Sequence, residues 1–156
     1  MLYLPFLLLF FTGMLYSLIY TSRAVAPLDH QAMLTLLTLA RTNNCGQHIT
    51  GVLLHSADHF LQVLEGTREE VDLLFAKIQR DSRHNQLRLL GKGPIRRREF
   101  PNWSMGFSQL SYPVFVQLQR FIRHPNPEAE WLSASVKALS LRDLLQPFIL
   151  HTVVED

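Results

Sequence analysis

Four polar side chains stand where a folding core ordinarily takes apolar ones. Tyr20 lies within "LIYTSRA", Asn43 and Asn44 within "RTNNCG", and Gln62 interrupts the apolar run of "HFLQVLEG". A primary amide offers two donors and an acceptor, and a phenol one donor and an acceptor. Left unpaired in a core, such a group costs on the order of 1–3 kcal/mol. Each has an ordinary reading in isolation. Asn suits a helix C-terminus, Gln62 suits the solvent side of an edge strand, and Tyr20 suits a core rim with its hydroxyl outward. Four of them on adjoining elements suggest instead one polar ligand held between a sheet and its helices.

Other chemistries find little support. Seven histidines invite a metal, and His55 and His59 could face each other across a hairpin turn, but no compact Cys/His/acid cluster accompanies them. "GKG" at 91–93 lacks the spacing and the Ser/Thr of a phosphate loop. "RRR" at 96–98 reads as a solvated charge run, and without interleaved aromatics it does not argue for nucleic acid. No Ser-His-Asp or Cys-His spacing emerges. The single cysteine, Cys45, excludes an intramolecular disulfide and leans toward a cytoplasmic location.

The elements that must position the four polar residues can be read from periodicity. Residues 14–22 form a strand candidate with Tyr16, Leu18 and Tyr20 on one face. Residues 28–42 suit a helix, with Leu28, Ala32, Leu36 and Leu39 at helical spacing. Segments 49–56 and 59–66 make a hairpin about Ala57 and Asp58. Thr67 and Glu70 form a T-x-x-E capping box, followed by Val71, Leu74, Phe75 and Ile78 on one helical face. A fourth strand is expected at 87–95 and a fifth within 103–112. The order is that of an α+β, ferredoxin-like βαββαββ sheet with two helices on one face. Two further helices are expected beyond Pro113. In the first, Phe115, Leu118, Phe121 and Ile122 form an apolar stripe suited to cover the free sheet face.

At 156 residues and a net charge of +2, the chain fits one domain with a real core and carries no charge excess that demands nucleic acid. Residues 1–13 are strongly apolar but interrupted by Pro5. They read as a membrane anchor, a secretory signal or an upstream extension to a start at Met14. The short apolar run and the well-formed strand after Met14 favour the extension, which leaves a membrane role to the case of a genuine anchor.

"LIYTSRA" (18–24), "NN" (43–44), "ITGVLLHSADHFLQVLEG" (49–66), "AKIQRDSRH" (76–84) and "FPNWSMGF" (100–107) together resemble the BLUF domain, the sensors of blue light using FAD. The resemblance covers about residues 14–110, in order and with close spacing. It implies that residues 14–110 bind FAD between the two helices and that 111–156 form a C-terminal helical output or cap segment. Tyr20 matches the photoactive tyrosine and Gln62 the switch glutamine, with Trp103 and Met105 matching the W-x-M element beside it. Asn44 matches the asparagine on the flavin pyrimidine edge and Asn43 its neighbour. Leu36 and Ile78 would wall the ring. Lys77, Asp81, Arg83 and His84 fall where the family places polar or charged flavin contacts. Lys77 stands as a Lys-for-Arg change, and Ala40 stands where some members carry serine.

The implied mechanism is photochemical. Tyr20 would give up an electron and a proton by way of Gln62, both would return, and the Gln62 hydrogen bonds would be left rearranged. Output would pass to a downstream signalling protein in trans or through a homo-oligomer. Two other classes stay open on the residues alone: a flavin- or nucleotide-dependent enzyme on the same fold, and a cofactor-free interaction module.

Overall fold

A computed structural model describes residues 14–123. The elements are β1 (Leu15–Ala24), α1 (His30–Gly46), β2 (Thr50–Ser56), β3 (His59–Thr67), α2 (Arg68–Arg80), β4 (His84–Pro94), β5 (Gly106–Gln109) and α3 (Tyr112–Arg123). The strand order is β4-β1-β3-β2-β5, antiparallel throughout except for the parallel β2–β5 pair. The expected ferredoxin-like α+β fold is therefore present. The second expected C-terminal helix and the apolar segment 1–13 lie outside the described residues. No helix among the described residues is long and apolar enough to cross a membrane.

Period-two alternation splits the sheet into two faces. Tyr16, Leu18, Tyr20, Leu53, Phe60 and Leu64 face α1 and α2. Val52, Leu54, Leu61 and Val63 face the other way, against Phe115 and Leu118 of α3 and the aromatic pair Phe100 and Trp103. Ile122 of α3 packs there as well, so Phe115, Leu118 and Ile122 of the expected stripe cover the second face.

Helix boundaries follow local chemistry. Asp29 caps α1 by accepting the Ala32 amide at 2.7 Å. Thr67 and Glu70 form the expected reciprocal box at α2. α1 runs four residues past its expected end, so both asparagines sit inside its last turns rather than beyond them. β4 begins three residues earlier than expected, which puts His84 at the start of that strand. Met33 and Leu37 are the fully buried apolar residues of α1, while Leu28, Ala32, Leu36 and Leu39 line a cavity. His55 and His59 lie on opposite faces: His55 stacks on Phe60, and His59 packs against Tyr112 and Phe115. No cluster able to hold a metal occurs among the described residues.

Candidate functional site

Between the sheet and helices α1 and α2 lies a cavity of about 810 Å³. That is the size of a site for a large organic ligand. Its floor is formed by Tyr20, Leu53, Phe60 and Gln62, its walls by Leu28, Leu36, Leu39 and Ala40 of α1 and its neighbouring loop and by Leu74 and Ile78 of α2. Asn43, Asn44, Lys77, Asp81, Arg83 and His84 also border it. The cavity is thus apolar along its flanks and polar at its floor and mouth.

Gln62 does not lie on an edge strand. β3 is the central strand, and Gln62 pairs in register with Tyr20 on β1 and Leu53 on β2. Its side chain is buried, as is that of Tyr20. Tyr20 Oη donates to Gln62 Oε1 at 2.5 Å. Burial pushes the Tyr20 phenol above its ordinary range, and the Asp81 carboxylate adds to the rise, so the phenol keeps its proton and acts as donor. That fixes the amide's orientation. Its Nε2 end is turned the other way and donates to Met105 Sδ at 3.4 Å. A row of Tyr20, Gln62 and Met105 results, with an amide at its centre whose two ends are chemically opposite.

Met105 is brought there by the β4–β5 connection. Its carbonyl accepts from Arg41 Nε at 2.9 Å, and the carbonyl of Ser104 accepts from Asn44 Nδ2 at 2.8 Å. Asn44 is buried while Asn43 is exposed, so the two asparagines have different surroundings. Trp103 belongs to the opposite face, where its ring stacks on Phe100 at 5.5 Å between centroids. Residues 103 and 105 pack on opposite faces of the sheet, and Met105 is the one that meets Gln62.

On the α2 side, the Arg83 guanidinium binds both oxygens of Asp81 and holds that carboxyl down at about 2. Asp81 in turn raises Arg83. His84 Nε2 lies 2.6 Å from the carbonyl of Ile78, which requires that nitrogen to be the donor. Its ring sits 6.5 Å from that of Tyr20, and Phe75 packs at 5.4 Å on the same tyrosine. Lys77 is exposed at the mouth. Sequence reasoning missed Arg41, whose role depends on a carbonyl 64 positions away, and Glu65, whose backbone partners lie 34 and 35 positions away.

Comparison with known proteins agrees with this geometry. The family model for "Sensors of blue-light using FAD" matches residues 15–106. The photoactivated adenylate cyclase subunit beta of Euglena gracilis is 35% identical over 95 residues, 60% of this chain and 11% of that protein. The chain therefore spans about a tenth of that relative's length. The dark-state structure of BlrB, a BLUF protein, superposes with a TM-score of 0.64 at 30% identity, covering 88% of this chain and 98% of BlrB. Klebsiella pneumoniae BlrP1 with FMN and cyclic diGMP superposes with a TM-score of 0.58 at 30% identity, covering 73% of this chain and 36% of that one. With Tyr20 and Gln62 bonded on the floor of a cavity between two helices, and with the family model spanning β1 through the start of β5, the chain belongs to the BLUF family of blue-light sensors.

Proposed function

We propose that this chain is a blue-light photoreceptor that holds FAD in the cavity between α1 and α2 and signals through its C-terminal segment to a separate protein. The observation that carries the reading is the buried Tyr20–Gln62–Met105 row on the cavity floor. The residues present suit a flavin. Leu36 and Ile78 offer apolar walls for a planar ring system, and Tyr20, Asn44 and Gln62 offer polar groups at one end. Asn43, Lys77, Asp81, Arg83 and His84 supply polar and charged groups toward the mouth. When bound, the flavin supplies absorption of blue light and a strongly oxidising excited state.

The chain's own contribution is a hydrogen held at Tyr20 Oη and an amide that can reverse its ends. While Tyr20 donates, Gln62 Oε1 accepts and Nε2 faces Met105. If Oη gives up its hydrogen and then regains it, the amide passes through a moment without its fixed donor and can settle in the other arrangement. The two arrangements differ in which group each neighbour is offered, and output is the resulting shift between two packings. Leu61 and Val63 flank Gln62 on β3 and pack into the cluster that holds Phe115 and Leu118 of α3. We assign cofactor binding to residues 14–110 and output to residues 111–156 on this ground.

A sensor fits the cavity better than an enzyme. Three of its titratable groups are already engaged: Asp29 caps α1, Asp81 pairs with Arg83, and His84 donates to Ile78. Lys77 is exposed at the mouth, and the Tyr20 phenol on the floor is bonded to Gln62. The test is purification under dim light, release of the chromophore by heat or acid, and chromatography, together with spectra before and after blue illumination. We expect one non-covalent FAD per chain and a reversible spectral shift. FMN in its place corrects the cofactor. A colourless protein, or flavin that stays attached to denatured chain through Cys45, contradicts the reading.

A further inference from the structure

The strand that carries Gln62 also carries a buried acid that the light switch does not use. Glu65 lies three residues along β3 and therefore on the opposite face. It is completely buried. Its Oε1 accepts the Glu99 amide at 2.8 Å, and its Oε2 accepts the Phe100 amide at 3.0 Å and the Thr50 hydroxyl at 3.1 Å. Arg98 completes the knot by donating to Thr50 Oγ1, to the Glu65 carbonyl and to the His48 carbonyl at 2.8, 2.9 and 2.7 Å. Burying a carboxylate is costly, and burial does push the Glu65 carboxyl up despite these donors. What the carboxylate provides is two acceptor oxygens for two consecutive backbone amides.

Those amides open the segment that ends at Met105. Phe100 is buried and stacks on Trp103, whose carbonyl accepts the Gly51 amide at 3.0 Å. Ser104 and Met105 are tied to Asn44 and Arg41 of α1. The segment is thus pinned at its outer end by Glu65 and at its inner end by α1, and Met105 Sδ meets Gln62 where it emerges.

We propose that Glu65 is a positioning residue of the light switch: by holding the Glu99 and Phe100 amides it sets how Met105 meets the Gln62 amide, and so the rate at which that amide returns in the dark. The proposal rests on the reading that Gln62 rearranges under light. Glu65→Gln keeps the shape but places an NH₂ against one of the donors, leaving a backbone N–H or the Thr50 hydroxyl without its acceptor.

The experiment uses the full flavin-loaded chain and follows dark recovery after a blue flash in Glu65→Gln, Met105→Leu and the double variant. Glu65→Gln should change the recovery rate constant by about fivefold or more, the equivalent of about 1 kcal/mol. In the Met105→Leu background the same substitution should change it by less than about twofold, because residues acting through one contact are not additive. A staple with a purely structural role gives the same fold-change in both backgrounds, and that result overturns the proposal, as does unaltered recovery. If Glu65→Gln fails to fold, Glu65→Asp keeps the carboxylate but draws its oxygens back from the Glu99 and Phe100 amides and carries the same two-background test. In flavin-free protein the Met105 methyl NMR resonance should move in Glu65→Gln; an unmoved resonance also overturns the proposal. A parent with no light-induced shift refutes the switch reading itself, whereas a shifting parent with additive variants refutes the Glu65 proposal alone.

Discussion

Replacing Asn44 by aspartate should turn a stabilising contact into a repulsive one with a marked pH dependence. Asn44 is 2% exposed, and its Nδ2 donates to the Ser104 carbonyl at 2.8 Å. In Asn44→Asp, two oxygens face each other at that spacing. The hydrogen bond is lost, the carbonyl is left unpaired, and an uncompensated charge is buried. Together these cost about 2–4 kcal/mol at pH 8. For a chain of this size that corresponds to a melting temperature lower by roughly 6–15 °C. Protonating the introduced carboxyl gives it an O–H that can donate to Ser104. Its pKa in the folded state is therefore raised above the unfolded value, and the sign follows: stability is retained at low pH and lost as pH rises through the raised value. Thermal melts of flavin-free Asn44→Asp and Asn44→Ala at several pH values are the assay. The aspartate variant should recover relative to the alanine variant as pH falls. A variant as stable as the parent at pH 8, with no pH slope relative to alanine, would refute the reasoning about how α1 grips the Met105 segment.

Other expectations follow from the same geometry. A Cβ added at Gly51 would meet the Val63 carbonyl oxygen at 1.8 Å, so Gly51→Ala should destabilise the β2–β3 pair by on the order of 3 kcal/mol or more, read as a fall in the urea midpoint; a midpoint like the parent's would contradict it. Burial lowers the His55 pKa from its ordinary 6.5, so the unfolded chain takes up that proton first and stability should fall as pH drops below about 6.5; His55→Phe should flatten that slope in urea titrations, and an unchanged slope would rule His55 out as its source. Tyr20→Phe strands Gln62 Oε1 and Gln62→Leu strands the Tyr20 hydroxyl, while the double variant strands neither. Its unfolding free energy should exceed the additive expectation by about 1 kcal/mol, and strict additivity would break the pair.

Most of the fold was legible because burial imposes simple periods. Alternation placed Tyr16, Leu18 and Tyr20 on one face, and the Thr67–Glu70 box fixed the start of α2. Tyr20 and Gln62 stood out because a phenol and an amide interrupt apolar runs, and their register pairing brings them together. Long-range polar contacts left no such trace. Nothing local reveals that Arg41 and Asn44 bond carbonyls beyond residue 103, or that Glu65 turns inward to hold backbone amides. The face that Trp103 takes is not legible either, because motif spacing fixes neighbours along the chain, whereas the face depends on how the segment enters β5. The α1 stripe pointed to a cavity because helical periodicity reports an apolar face and not what that face meets.

The central claim is that the Gln62 amide is the element that light rearranges. The light-minus-dark difference spectrum of flavin-loaded Gln62→Leu, recorded beside the parent, tests it most directly. A folded, yellow variant with no stable shift is expected beside a parent whose shift appears on illumination and decays in the dark. A normal, reversible shift in Gln62→Leu would contradict it.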